Sequence, residues 1–185
     1  MRHLLSLSLL AATTFLHAQQ CDWLTSAPID YDSNPSMANE VLAGAPGFLV
    51  AARQTSGVFV YGSDLYGEAI LEYLHVDNGS VLWSCSLFDS VSVESAVVSA
   101  DGKAYYAGRF MGNMSLCDGS VLGGVPGQNV WNVNLFLLAV DLNTGLVDWT
   151  RNLSFTHPEA LGIPSLALDP QVRLWYASAA WGTGK

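Results

Sequence analysis

The chain has 185 residues, half of them hydrophobic, 12% charged and 11% aromatic, a globular composition at a length that suits one domain. Sixteen acidic residues against seven basic ones give a formal charge of −9, which excludes the electrostatic footprint of a nucleic-acid or anionic-lipid binder.

The first segment, MRHLLSLSLLAATTFLHAQQ, places Arg2 and His3 before an apolar run from Leu4 to Ala12 and a small residue at Ala18. That order predicts a secretory signal peptide over residues 1–18, cut after Ala18. The run falls short of the roughly 18–20 apolar residues of a membrane span, so no membrane insertion is expected after cleavage. Gln20, which precedes Cys21, is not the small residue that lipoprotein processing needs. The expected location is secreted or periplasmic. Cys21, Cys85 and Cys117 allow at most one internal disulfide, and the sequence does not select the pair. Their spacing fits no zinc pattern. Cys85 alternates with Trp83 and Leu87, which predicts a buried core thiol.

Residues 19–46 mix Pro, Ser, Asn and Asp without periodicity and read as an irregular lead-in. From Gly47 to Lys185 short β-type runs alternate with turn residues, and no window carries a helical stripe. One element recurs as FLVAARQTSGVFVYG, AVVSADGKAYYAG and LALDPQVRLWYAS. A second recurs as ILEYLHVDNGSVLWSCSL and FLLAVDLNTGLVDWTRNL, matching Gly79 with Gly145, Trp83 with Trp149 and Leu87 with Leu153. Gly62 and Gly108 set a period of about 46 residues, in the range of propeller blades. The second unit is longer because residues 111–134, MGNMSLCDGSVLGGVPGQNVWNVN, have no counterpart in the first. Ala104, Tyr106, Gly108, Phe110, Gly112, Met114 and Leu116 alternate with more polar positions, as one long half-buried strand would. In the Asp-Leu-Asn-Thr-Gly turn, Asp141 and Asn143 start the turn and Gly145 takes a left-handed position, while Trp149 is the wedge between neighbouring sheets.

Ala139, Asp141, Thr144, Gly145 and Trp149 resemble the A-x-D-x-x-T-G-x-x-x-W repeat of PQQ-like, quinoprotein-type propellers, of which the first copy keeps Gly79 and Trp83. The longer run from Ala104 to Leu153 resembles the SBBP-type β-propeller repeat of secreted bacterial proteins. The resemblance implies an all-β fold of propeller-type blades built from short antiparallel strands, incomplete at about two and a half units over residues 47–185. It also implies an N-terminal fragment of a longer protein, with a C-terminal secretion or anchoring domain beyond Lys185.

No residue pattern marks a catalytic centre, and no cofactor or metal is expected. Asp141, Asn143 and Asp148 lack the further acids and terminal Glu of a calcium loop, and His75 and His157 lie near no nucleophile motif. Asn78, Asn113 and Asn152 head sequon triplets that read as chance matches. Residues 111–134 are the expected binding loop, with Trp131 and Asn132 as its test residues and an unidentified protein or glycan as its ligand. The function expected is a secreted propeller-type repeat module serving as a binding or structural surface. The alternatives are part of a periplasmic PQQ-dependent dehydrogenase and an envelope assembly scaffold.

Overall fold

The computed structural model describes residues 40–45, 47–54, 67–125, 133–153 and 164–178. The signal peptide read over residues 1–18, Cys21, His157, Trp131 and Asn132 lie outside them. Regular structure in the described residues is entirely β: β1 (Glu40–Ala45), β2 (Phe48–Gln54), β3 (Gly67–His75), β4 (Val81–Val98), β5 (Lys103–Met111), β6 (Met114–Ser115), β7 (Val121–Leu122), β8 (Val133–Asp141), β9 (Val147–Asn152), β10 (Ser165–Leu168) and β11 (Leu174–Ala177). β1 falls at the end of the segment read as a lead-in. No helix among the described residues is long and apolar enough to cross a membrane.

Seven strands follow one hydrogen-bonded path, β1-β2-β3-β4-β5-β8-β9, with β6 paired to β4 and β7 to β6. β10 and β11 form a separate two-stranded sheet, and every pairing is antiparallel. The all-β class is therefore as expected, but the propeller-type blades are not. Blades are discrete sheets that close into a ring, whereas here the ladder runs unbroken through the 18-residue β4. That strand pairs with β3 from Val81 to Val91 and with β5 from Val91 to Val98. No sheet among the described residues closes on itself. The repeated Gly and Trp offsets report a repeated hairpin, and a hairpin carries no information about whether the sheet breaks after it.

β4 changes partner where Asp89 (φ 72°) and Ser90 (φ 61°) adopt left-handed backbone, at a cost of about 1–2 kcal/mol each. Side chains from both sides of this point share one core. Val50 and Ala52 of β2, Ala69 and Leu71 of β3, and Cys85 and Leu87 of β4 belong to the same cluster as Tyr106 and Phe110 of β5 and Phe136 and Leu138 of β8. A second cluster joins the opposite faces of β5 and β8, through Tyr105, Ala107, Leu137 and Ala139, to Leu166 of β10. β5 and β8 are thus covered on both faces, which is why their sequences, KAYYAGRFM and VNLFLLAVD, are apolar almost throughout. The single long strand read from Ala104 to Leu116 is two strands: β5 ends at Met111, Gly112 turns at φ 66°, and β6 begins at Met114.

Candidate functional site

The repeat residues form a lock between the two parts of the sheet. Asp141 Oδ1 accepts the Asn143 N–H at 2.9 Å, the Thr144 N–H at 3.0 Å and the Thr144 hydroxyl at 3.0 Å. Led by the Thr144 N–H, these bonds hold the Asp141 carboxyl below its usual range. They shape a turn in which Gly145 (φ 70°) donates to the Asp141 carbonyl at 2.8 Å. Gly79 (φ 68°) donates to the His75 carbonyl at 2.9 Å in a matching turn between β3 and β4. Trp83, from the first unit, lays its indole on the second unit's turn and donates its ring N–H to the Leu142 carbonyl at 2.9 Å. A Cβ on Gly145 would lie 2.7 Å from Trp83 Cγ, so the glycine is needed for the indole as well as for the turn. Trp83, Asp141, Thr144 and Gly145 therefore meet; Gly79 lies in its own turn, and Trp149 packs with Tyr105 on the opposite face at 6.0 Å between ring centroids. The lock is a packing device and presents no reactive group.

Of the expected binding loop, residues 111–125 and 133–134 are described: Met111 ends β5, Val133 and Asn134 begin β8, and β6 and β7 between them form a hairpin against β4. A disulfide joins Cys85 to Cys117, so Cys85 is not the free core thiol expected from its alternation. Cys85 is buried while Cys117 is exposed at the hairpin turn. That turn repeats the aspartate chemistry: Asp118 Oδ1 accepts the Ser120 hydroxyl at 2.6 Å and its N–H at 2.9 Å, and the carboxyl is again held low. Met114 and Leu116 anchor the hairpin in the core, and the Ser115 hydroxyl donates to Asp89 at 2.6 Å. At the far end Asn152 donates to the Gly123 carbonyl, and Asn134 accepts the Val125 N–H. Phe88, Ser115 and Val121 lie side by side in register, with Phe88 40% and Val121 59% exposed.

A third group was not marked by any motif. In β4, Val93 pairs with Gly108 and Ser95 with Ala107, so Glu94 is the extra residue of a bulge. Gly108 permits the close strand approach there, since a Cβ would sit 2.0 Å from the Ser92 carbonyl oxygen. The bulge turns the Glu94 carboxylate onto the Arg109 guanidinium, with only 3% and 7% of the two side chains exposed. Burial pushes Glu94 up to about 7, against a lowering contribution from the Ser92 hydroxyl, and pushes Arg109 down to about 10. Glu94 Oε2 is buried without a hydrogen bond. Burial also raises the nearby Tyr176 phenol, and the Glu94 charge adds to that shift. A pair this enclosed is placed to hold the sheet face to β10–β11. The signal for it is Arg109 standing in phase with Tyr105 and Ala107 in an otherwise apolar run.

No group of three or more His, Cys, Asp or Glu side chains able to hold a metal occurs among the described residues. His75 packs against Phe48 at 4.7 Å between ring centroids, the two rings tilted by 41°. Comparison with protein-family models, curated proteins and solved structures finds no match for this chain. Together with the unbroken sheet, this overturns the resemblance to PQQ-like and SBBP-type repeats. The propeller-type module, the PQQ-dependent dehydrogenase and the envelope scaffold inferred alongside it fall with it.

Proposed function

We propose that this chain is an exported recognition protein that matures in an oxidising compartment and offers the stapled β6–β7 hairpin to a protein or glycan ligand. The Cys85–Cys117 disulfide carries this reading. Crosslinks of this kind persist outside the reducing cytoplasm, in keeping with the signal-peptide pattern of residues 1–18. Two-residue strands are marginal by themselves, and the crosslink fixes them on the rigid sheet. A hairpin ordered before binding loses less conformational entropy when it binds. Phe88 and Val121 give the platform an apolar contact surface, and Asp89, Ser115 and Asp118 give it a polar border.

The test is site-specific photo-crosslinking of the native exported protein. A photoreactive residue at position 121 is expected to give one dominant adduct, and the same residue at exposed Arg151 is expected to give none. Equal labelling from the two positions, or recovery of the protein with Cys85 and Cys117 as free thiols, overturns the reading.

A further inference from the structure

The Trp83 lock on Gly145 has a second, unfilled counterpart. Trp149 stands four residues after Gly145 as Trp83 stands four residues after Gly79. Each tryptophan pairs across its hairpin just beside a register shift, Tyr73↔Trp83 next to Tyr73/Leu74 and Ala139↔Trp149 next to Ala139/Val140. The two positions are therefore equivalent in local geometry. Trp83 has a turn to rest on and a carbonyl for its ring N–H. Trp149 packs on Tyr105 and the β10–β11 cluster, and its ring N–H has no partner among the described residues.

The strands above Trp149 show what is missing. The hairpin that seats Trp83, β8–β9, lies next to β5 in the sheet. β11 pairs with β10 alone among the described residues, so its other edge carries no described strand. Its hydrogen bonding is one-sided. The Asp169 N–H donates to the Arg173 carbonyl, so by antiparallel alternation Leu174 and Tyr176 turn their N–H and C=O groups away from β10. On β10 the equivalent outward N–H, that of Leu166, is satisfied by the Ser95 hydroxyl at 3.0 Å. On β11 the outward groups of Leu174 and Tyr176 meet no partner among the described residues.

We propose that the β11 edge and Trp149 together form a docking site for a β-hairpin of another polypeptide, one whose turn carries a left-handed glycine. The incoming strand pairs with the outward groups of Leu174 and Tyr176, in the manner of strand addition to a sheet edge. Its turn then reaches Trp149 as the β8–β9 turn reaches Trp83: the glycine leaves room for the indole, and a carbonyl of the turn accepts the ring N–H. A residue with a Cβ at that position collides with the ring. This surface is independent of the reading of the β6–β7 hairpin.

The probe is a fluorescently labelled peptide of residues 133–153, which carries a turn known to seat such a tryptophan, titrated with the mature, disulfide-bonded protein. Saturable binding is expected, weakened at least tenfold by Trp149→Ala in the protein and, separately, by Gly145→Val in the peptide. Amide exchange at Leu174 and Tyr176 is expected to slow on binding. The peptide variant tests the site even if Trp149→Ala fails to fold. Absence of binding, equal binding of the Gly145→Val peptide, or binding without slower exchange at Leu174 and Tyr176 overturns the proposal.

Discussion

Gly145 shows how one residue serves two distant parts of the chain. Its φ of 70° closes the β8–β9 turn, and its missing Cβ makes the space for Trp83. Gly145→Ala meets both constraints at once, because the indole is fixed by its bond to the Leu142 carbonyl and cannot simply move away. The expected loss is about 2–3 kcal/mol, read as a lower midpoint in urea denaturation. Asp141 and Asp118 give a pH signature at the same scale. Their carboxyls are held below the ordinary range in the folded chain, so the stability they contribute is complete above that range and is lost as pH falls through the folded values. Glu94, raised to about 7 by burial, makes the midpoint itself rise as pH falls from about 7 toward the ordinary Glu range. The Asp contribution is therefore read as the difference in midpoint between wild type and Asp141→Asn, which is expected to stay level down to about pH 4 and to shrink below it. Asp141→Asn keeps the accepting oxygen and removes the titration, so its midpoint is expected to fall less steeply in acid. The turn itself is legible in the sequence, since Asp, Thr and Gly act within five residues of one another. Its partner Trp83 is not, because the contact spans 59 positions and no local pattern names it.

At the level of elements, the bulge in β4 brings the Glu94 carboxylate against the Arg109 guanidinium inside the protein. Glu94→Gln leaves the Arg109 charge buried opposite a neutral amide, and the expected loss is about 3–5 kcal/mol. Replacing both together, as Glu94→Leu with Arg109→Met, is expected to restore part of that stability in the same denaturation assay, because the buried Glu94–Arg109 contact is then replaced by apolar packing. Strand identity is legible in the short β-type runs set between turn residues, and in the Asp141–Gly145 turn, all of which are local signals. The bulge was not readable. It moves one residue out of phase, and VSVESAVV looks the same with or without it. The division of the stretch from Ala104 to Leu116 at Gly112 was missed for a related reason: β5 is covered on both faces, so its alternation carries little contrast.

Across the described residues, two sheets carry two cores, with a crosslink set at the side of the first. Reduction of Cys85–Cys117 opens a closure spanning 32 positions and is expected to cost about 3–4 kcal/mol, measured by comparing denaturation with and without reductant. The small β10–β11 sheet rests on the second core and on few hydrogen bonds. Its amides are expected to exchange before those of β5 and β8, an order that hydrogen-exchange mass spectrometry reads directly. The antiparallel all-β class is legible in the sequence, because each hairpin declares itself. The continuity of the sheet is not, because nothing local separates a strand that ends a unit from one that also begins the next.

β4 also sets the order in which the chain can be completed during synthesis. By the time Val98 leaves the ribosome, β1 to β4 are all available and can pair. The face bearing Val50, Leu71 and Leu87 then has no cover until β5 and β8 emerge, some forty residues later, and Cys117 is still unavailable to Cys85 for the first half of that wait. For that interval the nascent chain displays a bare apolar sheet and, on the same strand, the Cys85 thiol without its Cys117 partner. Holdase chaperones that bind such surfaces, and oxidoreductases that shield such thiols, have their window of action between these two points of elongation.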